Sequence, residues 1–230
     1  MKPLLQINDV NFNLPSGQVI LHQINAQIMP GEFVILVGSN GSGKSSLIKL
    51  INQQYRLREG DINLNGENIQ KFSRKKLSEQ MITLTQFVKD SLFIDLSVFE
   101  NAKLITPFKS INKLKEYLHA FNPNLAEAVK KPVAELSGGE QQQLAFALYM
   151  TKQPKLLLLD EHTSALDPVA AEKIMQMTHD YVRRHHITCL MTTHNMNFAE
   201  RFSDRLIAMK NGRLIQSTKS NQEFLKESYS

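Results

Sequence analysis

The chain of 230 residues has a single cysteine, Cys189, so no intrachain disulfide can form. Cys189 lies in the apolar run Ile187-Thr188-Cys189-Leu190-Met191, where a small buried hydrophobe fits better than a nucleophile. Long hydrophobic runs are missing too. Nothing approaches the roughly 18 apolar residues of a membrane span, and Met1-Lys2-Pro3 opens no signal peptide. The expectation is a cytosolic chain that reaches any membrane through a partner. Basic residues exceed acidic ones, for a net charge of +5. They sit in small scattered groups, Arg74-Lys75-Lys76, Lys130-Lys131 and Arg183-Arg184, as on a solvated surface. The aromatic-interleaved basic stripe that single-stranded nucleic acid requires is absent, so no nucleic-acid partner is expected. Internal repeats and low-complexity linkers are absent as well. A chain of this length can bury a good core, and one α/β domain spanning 1–230 is the natural reading.

What is present alternates between strand and helix patterns. Val10, Phe12 and Leu14 alternate with polar residues, as a strand does. Pro15-Ser16-Gly17 turns the chain; a second strand starts at Val19-Ile20-Leu21, and a third runs from Ile24 to Met29 before Pro30-Gly31. This predicts an antiparallel β layer at the N-terminal end. Strands follow at Phe33–Val37, about Gly60–Gly66 and Met81–Leu84. Between residues 88 and 152 the pattern is helical, with Ser97-Val98-Phe99-Glu100 in capping-box form, an amphipathic stretch Ile111–Phe121, a helix at Leu125–Lys130, and another from Ser137 to about Met150. After it, strands at Leu156–Leu159 and Ile187–Thr192 alternate with helices at Pro168–Arg184 and Met196–Phe202. A hairpin around Asn211-Gly212 closes the pattern. The sum is a mostly parallel sheet with one helical insertion.

The stretch Gly38-Ser39-Asn40-Gly41-Ser42-Gly43-Lys44-Ser45-Ser46 fits G-x-x-x-x-G-K-[ST]. It stands between the apolar strand Phe33–Val37 and a helical pattern of Leu47, Ile48, Leu50 and Ile51, which is the setting a P-loop needs. Residues without Cβ let successive backbone N–H groups converge on phosphate oxygens, and the helix N-terminus adds partial positive charge. Lys44 would reach the β- and γ-phosphates and the Ser45 hydroxyl would ligate Mg²⁺. Nucleoside-triphosphate binding is therefore predicted.

Leu156–Leu159 is a buried strand that delivers Asp160 at its C-terminal end, where α/β sheets place ligands. Asp160 would hold Mg²⁺, directly or through water, and Glu161 supplies the second acid a hydrolase needs to polarise water. Ser137-Gly138-Gly139 at a helix start forms a second anion-binding element.

Read in order, Gly38–Ser46, Gln86, Leu136-Ser137-Gly138-Gly139-Glu140-Gln141, Asp160-Glu161, Ser164-Ala165-Leu166-Asp167 and Thr193-His194 resemble the ATP-binding subunit of ABC transporters over essentially the whole chain. The resemblance implies a P-loop NTPase fold of ABC ATPase type. It also implies a head-to-tail dimer with two ATP molecules between the P-loop of one copy and Ser137-Gly138-Gly139 of the other. Gln86 then matches the residue that senses γ-phosphate and Mg²⁺, Asp167 the acid that communicates across the dimer, and His194 the switch histidine at the γ-phosphate. Integral membrane permease subunits, and a substrate-binding protein, are the implied partners at the cytoplasmic face of the membrane. The other histidines considered, His119, His162, His179, His185 and His186, are read as surface or core residues.

Three positions depart from the family pattern. Leu14 stands where an aromatic residue usually stacks on adenine, His162 where Pro usually follows the glutamate, and Gln143 where Arg often follows the Ser-Gly-Gly stretch. The wording from Leu156 to Asp167, with Thr193-His194-Asn195-Met196, is similar to a smaller branch of tryptophan/tyrosine-type importers. Export, lipoprotein or lipid extraction, and non-transport ABC ATPases are the rival readings. Repair members carry long coiled coils and translation members two ATPase units in one chain; neither feature is present here.

Overall fold

A computed structural model describes residues 2–216. Its strands are β1 (Leu5–Asn13), β2 (Val19–Ile28), β3 (Phe33–Val37), β4 (Glu59–Leu64), β5 (Glu67–Asn68), β6 (Met81–Thr85), β7 (Leu156–Asp160), β8 (Thr188–Thr193), β9 (Arg205–Lys210) and β10 (Arg213–Gln216). Its α-helices are α1 (Lys44–Ile51), α2 (Arg74–Gln80), α3 (Val98–Ile105), α4 (Ile111–His119), α5 (Pro123–Glu127), α6 (Gly138–Met150), α7 (Pro168–Arg184) and α8 (Met196–Phe202). No described helix is long and apolar enough to cross a membrane.

The chain divides into two compact units. Among the described residues, the first takes those up to Thr83, Lys155–Asp160 and those from Val182 on; the second takes Leu84–Pro154 and Glu161–Tyr181.

In the first unit a small antiparallel sheet has the order β2-β1-β4-β5, and the larger sheet has the order β10-β9-β3-β8-β7-β6. Strand β3 is parallel to both β8 and β9, and β7 is parallel to β8. Such strands are covered on both faces: every residue of β3 and β8 is buried, as are Leu156–Leu159 of β7. Truncating one of these leucines to alanine costs about 2–5 kcal/mol. Cys189 of β8 is fully buried, and burial pushes its thiol pKa up.

The β layer differs from the sequence pattern at one point. The expected second and third strands are a single strand, β2, paired with β1 throughout. The apparent break is a register shift. Gln23 has φ +48° and its N–H donates to Asn11 Oδ1 at 2.9 Å, so the chain kinks without leaving the sheet.

In the second unit, Val98, Ala102, Leu114, Leu118, Leu125, Val133, Leu144 and Leu148 form one apolar cluster. The capping box at Ser97 and Glu100 is present, with Glu100 Oε2 accepting from the Ser97 N–H at 2.8 Å. Helix α5 starts earlier than the pattern indicates, because Asn122 caps it and Pro123 supplies its first turn. Helix α6 also begins in a capping box, between Ser137 and Glu140, which its Ser-x-x-Glu spacing signals.

Candidate functional site

In the first unit the P-loop is shaped by close approach. A Cβ on Gly38 would lie 2.5 Å from Met209 O, and one on Gly43 would lie 2.7 Å from Leu21 Cδ2. Gly43, at φ +111°, also adopts a backbone that side chains disfavour. The loop is thus walled by β2 and the end of β9, and only glycine fits at either place. Ser39, Asn40 and Gly41 form its exposed rim, while Ser46 is half-buried on the first turn of α1. Lys44 is buried, with Nζ donating to Gly38 O at 2.7 Å and Ser39 O at 3.2 Å. These carbonyls arch the loop over the ammonium.

Ser45 Oγ donates to Asp160 Oδ1 at 3.0 Å, and Thr192 Oγ1 donates to the same oxygen at 2.7 Å. The P-loop, β7 and β8 therefore converge on one carboxylate. A hydroxyl and a carboxylate already in contact are oxygen donors of the kind Mg²⁺ takes, alongside phosphate oxygens and water. Ser42 Oγ is buried and has no hydrogen-bond partner among the described residues, which suits a loop built to face an acceptor such as phosphate. His194 is exposed just past the C-terminal end of β8. Leu14, half-buried after β1, lines a groove of about 580 Å³ with Pro15, Phe12, Tyr55, Arg56 and Arg58.

The second unit holds a separate constellation. Gln86 follows β6; its Oε1 accepts from Ser164 Oγ at 2.7 Å, and its carbonyl accepts from Gln142 Nε2 at 3.0 Å. Ser164 Oγ lies 2.8 Å from Glu161 O, and Glu161 itself has φ +50°, a left-handed backbone that turns the chain sharply. Gln142 belongs to α6, the helix that Ser137-Gly138-Gly139 opens. Ser137 and Gly138 are exposed at its N-terminus, and a Cβ on Gly139 would meet Ala170 Cβ at 3.2 Å. The Ser137 hydroxyl is engaged with Glu140 Oε2 at 2.9 Å, and the backbone hydrogen bond from Ser137 holds the Glu140 carboxyl below its ordinary pKa. Asp167 Oδ1 accepts from the N–H groups of Val169 and Ala170, capping α7.

Two departures gain a physical context. Gln143 is buried and accepts from Asn122 Nδ2 at 2.7 Å, a neutral pair where a buried cation would need a counter-charge. His162 is 1% exposed with neither ring nitrogen hydrogen-bonded among the described residues, and burial pushes its pKa down to about 4. Sequence reading missed Gln142 and Thr192 as site neighbours, and named Ser164 only as the start of the Ser164–Asp167 stretch. Nothing in their local pattern separates them from ordinary helix, turn and strand residues.

Known proteins match this arrangement. The family model described as ABC transporter matches residues 21–164. A tyrosine transport ATP-binding protein of Clostridioides difficile is 31% identical, over 96% of this chain and 94% of that protein. A phosphonates import ATP-binding protein of Lactobacillus acidophilus is 29% identical, over 95% of this chain and 90% of that one. Among solved structures, CbiO1 of Clostridium perfringens, part of the ABC transporter complex CbiONQ, matches with a TM-score of 0.83 at 26% identity, covering 99% of this chain and 92% of its own. The buried Lys44 and the Ser45–Asp160 pair of this chain fit these likenesses, and the chain belongs to the ABC transporter family, as an ATP-binding ATPase with that family's P-loop fold.

Proposed function

We propose that this chain binds ATP with Mg²⁺, pairs head-to-tail with a second copy, and drives a membrane permease at the cytoplasmic face. The observation that carries this reading is the Ser45–Asp160 contact of 3.0 Å beside the buried Lys44, because it joins a phosphate cradle to a metal-type oxygen pair. In this reading Gly38–Ser46 surround the phosphates, Lys44 neutralises charge on the β- and γ-phosphates, and Ser45, Asp160 and Gln86 hold Mg²⁺. The ion, when bound, supplies further neutralisation of the phosphate oxygens. Glu161 orients the attacking water and His194 contacts the γ-phosphate, so most of the rate comes from positioning and electrostatics. Ser137-Gly138-Gly139 offer the open N–H groups of α6 to the γ-phosphate held by the other copy, and Asp167 communicates across that interface.

We assign the whole chain to one ABC ATPase domain with a helical subdomain at about residues 88–152. The name of the phosphonates import relative supports import, the name of the tyrosine transport relative supports an amino acid as cargo, and we assign an amino-acid-type cargo. The cargo itself is selected by the permease and a substrate-binding protein. The test is to isolate the chain from membranes in mild detergent and identify what copurifies. An integral permease carrying an amino acid is expected; recovery of the chain alone, or with a nucleic-acid enzyme, overturns the transport assignment.

A further inference from the structure

The β9–β10 hairpin turns at Asn211 and Gly212, at φ +49° and +71°, a two-residue loop of the primed kind. Gly212 is buried, and it is held on both sides. Its N–H donates to Ser42 O in the P-loop at 3.0 Å, and its carbonyl accepts from the His22 N–H of β2 at 2.8 Å. A Cβ at this place would lie 2.2 Å from Ile20 O, so no other residue can approach so closely. Gly38, Gly43 and Gly212 thus meet at one seam, each near β2 or β9.

The consequence lies in the peptide joining Ser42 to Gly43. A trans peptide is planar, and its C=O and N–H point in opposite directions. Fixing Ser42 O toward Gly212 therefore fixes the Gly43 N–H away from Gly212, on the opposite side of the loop. Gly43 needs such fixing: with no Cβ and a φ of +111°, its flanking peptides have little intrinsic barrier to rotating. Taking the P-loop as the phosphate site, as above, we infer that Gly212 is a positioning residue for ATP binding, and that its N–H keeps the Gly43 N–H turned toward the nucleotide phosphates. The turn contributes no ligand group. It sets the direction of one.

The test removes single hydrogen-bond donors and keeps every side chain. Glycolic acid incorporated at position 212 replaces that N–H by an ester oxygen; the α-hydroxy analogue of histidine at position 22 does the same for the other bond of the same turn. Both esters weaken the hairpin seam, but only the first frees Ser42 O. Affinity for ATP and for ADP, read by calorimetry beside urea unfolding, should fall at least tenfold for the position-212 ester and stay within twofold for the position-22 ester. Equal affinities in the position-212 ester and the unmodified chain overturn the inference, and so does an equal loss in both esters. If the unmodified chain itself binds no ATP, the P-loop reading fails instead. A second measurement needs no variant: by linkage, saturating ADP should slow hydrogen exchange at the Gly212 N–H at least tenfold. Unchanged exchange there counts against the proposal even if the ester chains do not fold.

Discussion

Ser164 Oγ donates to Gln86 Oε1 at 2.7 Å, so the amide oxygen proposed above to hold Mg²⁺ already has one partner. An amide oxygen has two acceptor sites, which leaves the second open. The bond orients the Gln86 side chain, and Gln142 pins the backbone of the same residue at 3.0 Å. Ser164→Ala removes the orienting bond without changing charge. A hydrogen bond of this kind is worth about 0.5–1.5 kcal/mol, so kcat should fall about two- to tenfold while KM for ATP holds. Steady-state ATPase kinetics check this; an unchanged kcat with a raised KM would assign Ser164 to binding instead.

Glu161→Gln keeps the size of the proposed water-orienting residue and removes its charge. Turnover should drop about 10²–10⁴-fold, the usual scale for losing a general base. ATP affinity should survive, since Lys44, Ser45 and the loop are untouched, and the variant should collect as an ATP-bound dimer on size exclusion. Near-normal turnover would remove Glu161 from the mechanism.

Leu14 lines the groove shared with Tyr55 and Arg56 and offers no aromatic face. Leu14→Tyr should tighten ATP binding by about 1 kcal/mol, the low end for stacking on a base. GTP should gain equally, because either purine stacks. Titration with both nucleotides decides it, and unchanged affinity for both would mean that the base lies elsewhere.

Phe93 and Ile94 are 62% and 38% exposed, and Phe87 is 50% exposed. Their loop is held through its backbone: the buried Asn101 accepts from the Phe93 N–H at 2.8 Å and donates to Phe93 O at 2.9 Å. Taking this exposed apolar patch as the place where the proposed permease docks, Phe93→Asp should leave folding and ATP binding intact and abolish copurification with the permease. A melting point several degrees lower would show that the ring supports the fold.

His162 carries two buried nitrogens without partners among the described residues. Such groups cost about 1–3 kcal/mol each when left unsatisfied, so His162→Leu should hold or raise stability in urea unfolding at pH 7.5. The sign with pH follows from the folded pKa of about 4 lying below an unfolded value of about 6.5. The unfolded chain binds the extra proton, so wild type should lose stability relative to the variant as pH falls from about 6.5 toward 4. A constant difference across that range would mean that the ring protonates freely in the fold.

Most of this architecture was legible because its signals are local. Gly38–Ser46 lie between an unbroken apolar run and a helical one, and Ser97-x-x-Glu100 announces its own helix start. The break inferred between Leu21 and Ile24 was not legible as a bulge, because Asn11 closes it from 12 residues away. Gln142 and Thr192 escaped for the same reason: each gains its meaning from a carbonyl or carboxylate that only folding brings near. Asn211-Gly212 declared its turn type in sequence, but its contact with Ser42 depends on how β10 returns beside β9.

The complete burial of Cys189 has a practical consequence. Maleimides and disulfide reagents find no accessible thiol among the described residues of the native chain, so wild type serves as its own blank. A cysteine placed at the exposed Ser39, with another at the exposed Gly138, becomes the sole reactive pair without any prior background substitution. Oxidative cross-linking on adding ATP would then test the proposed head-to-tail pairing directly, as a covalent band of twice the mass.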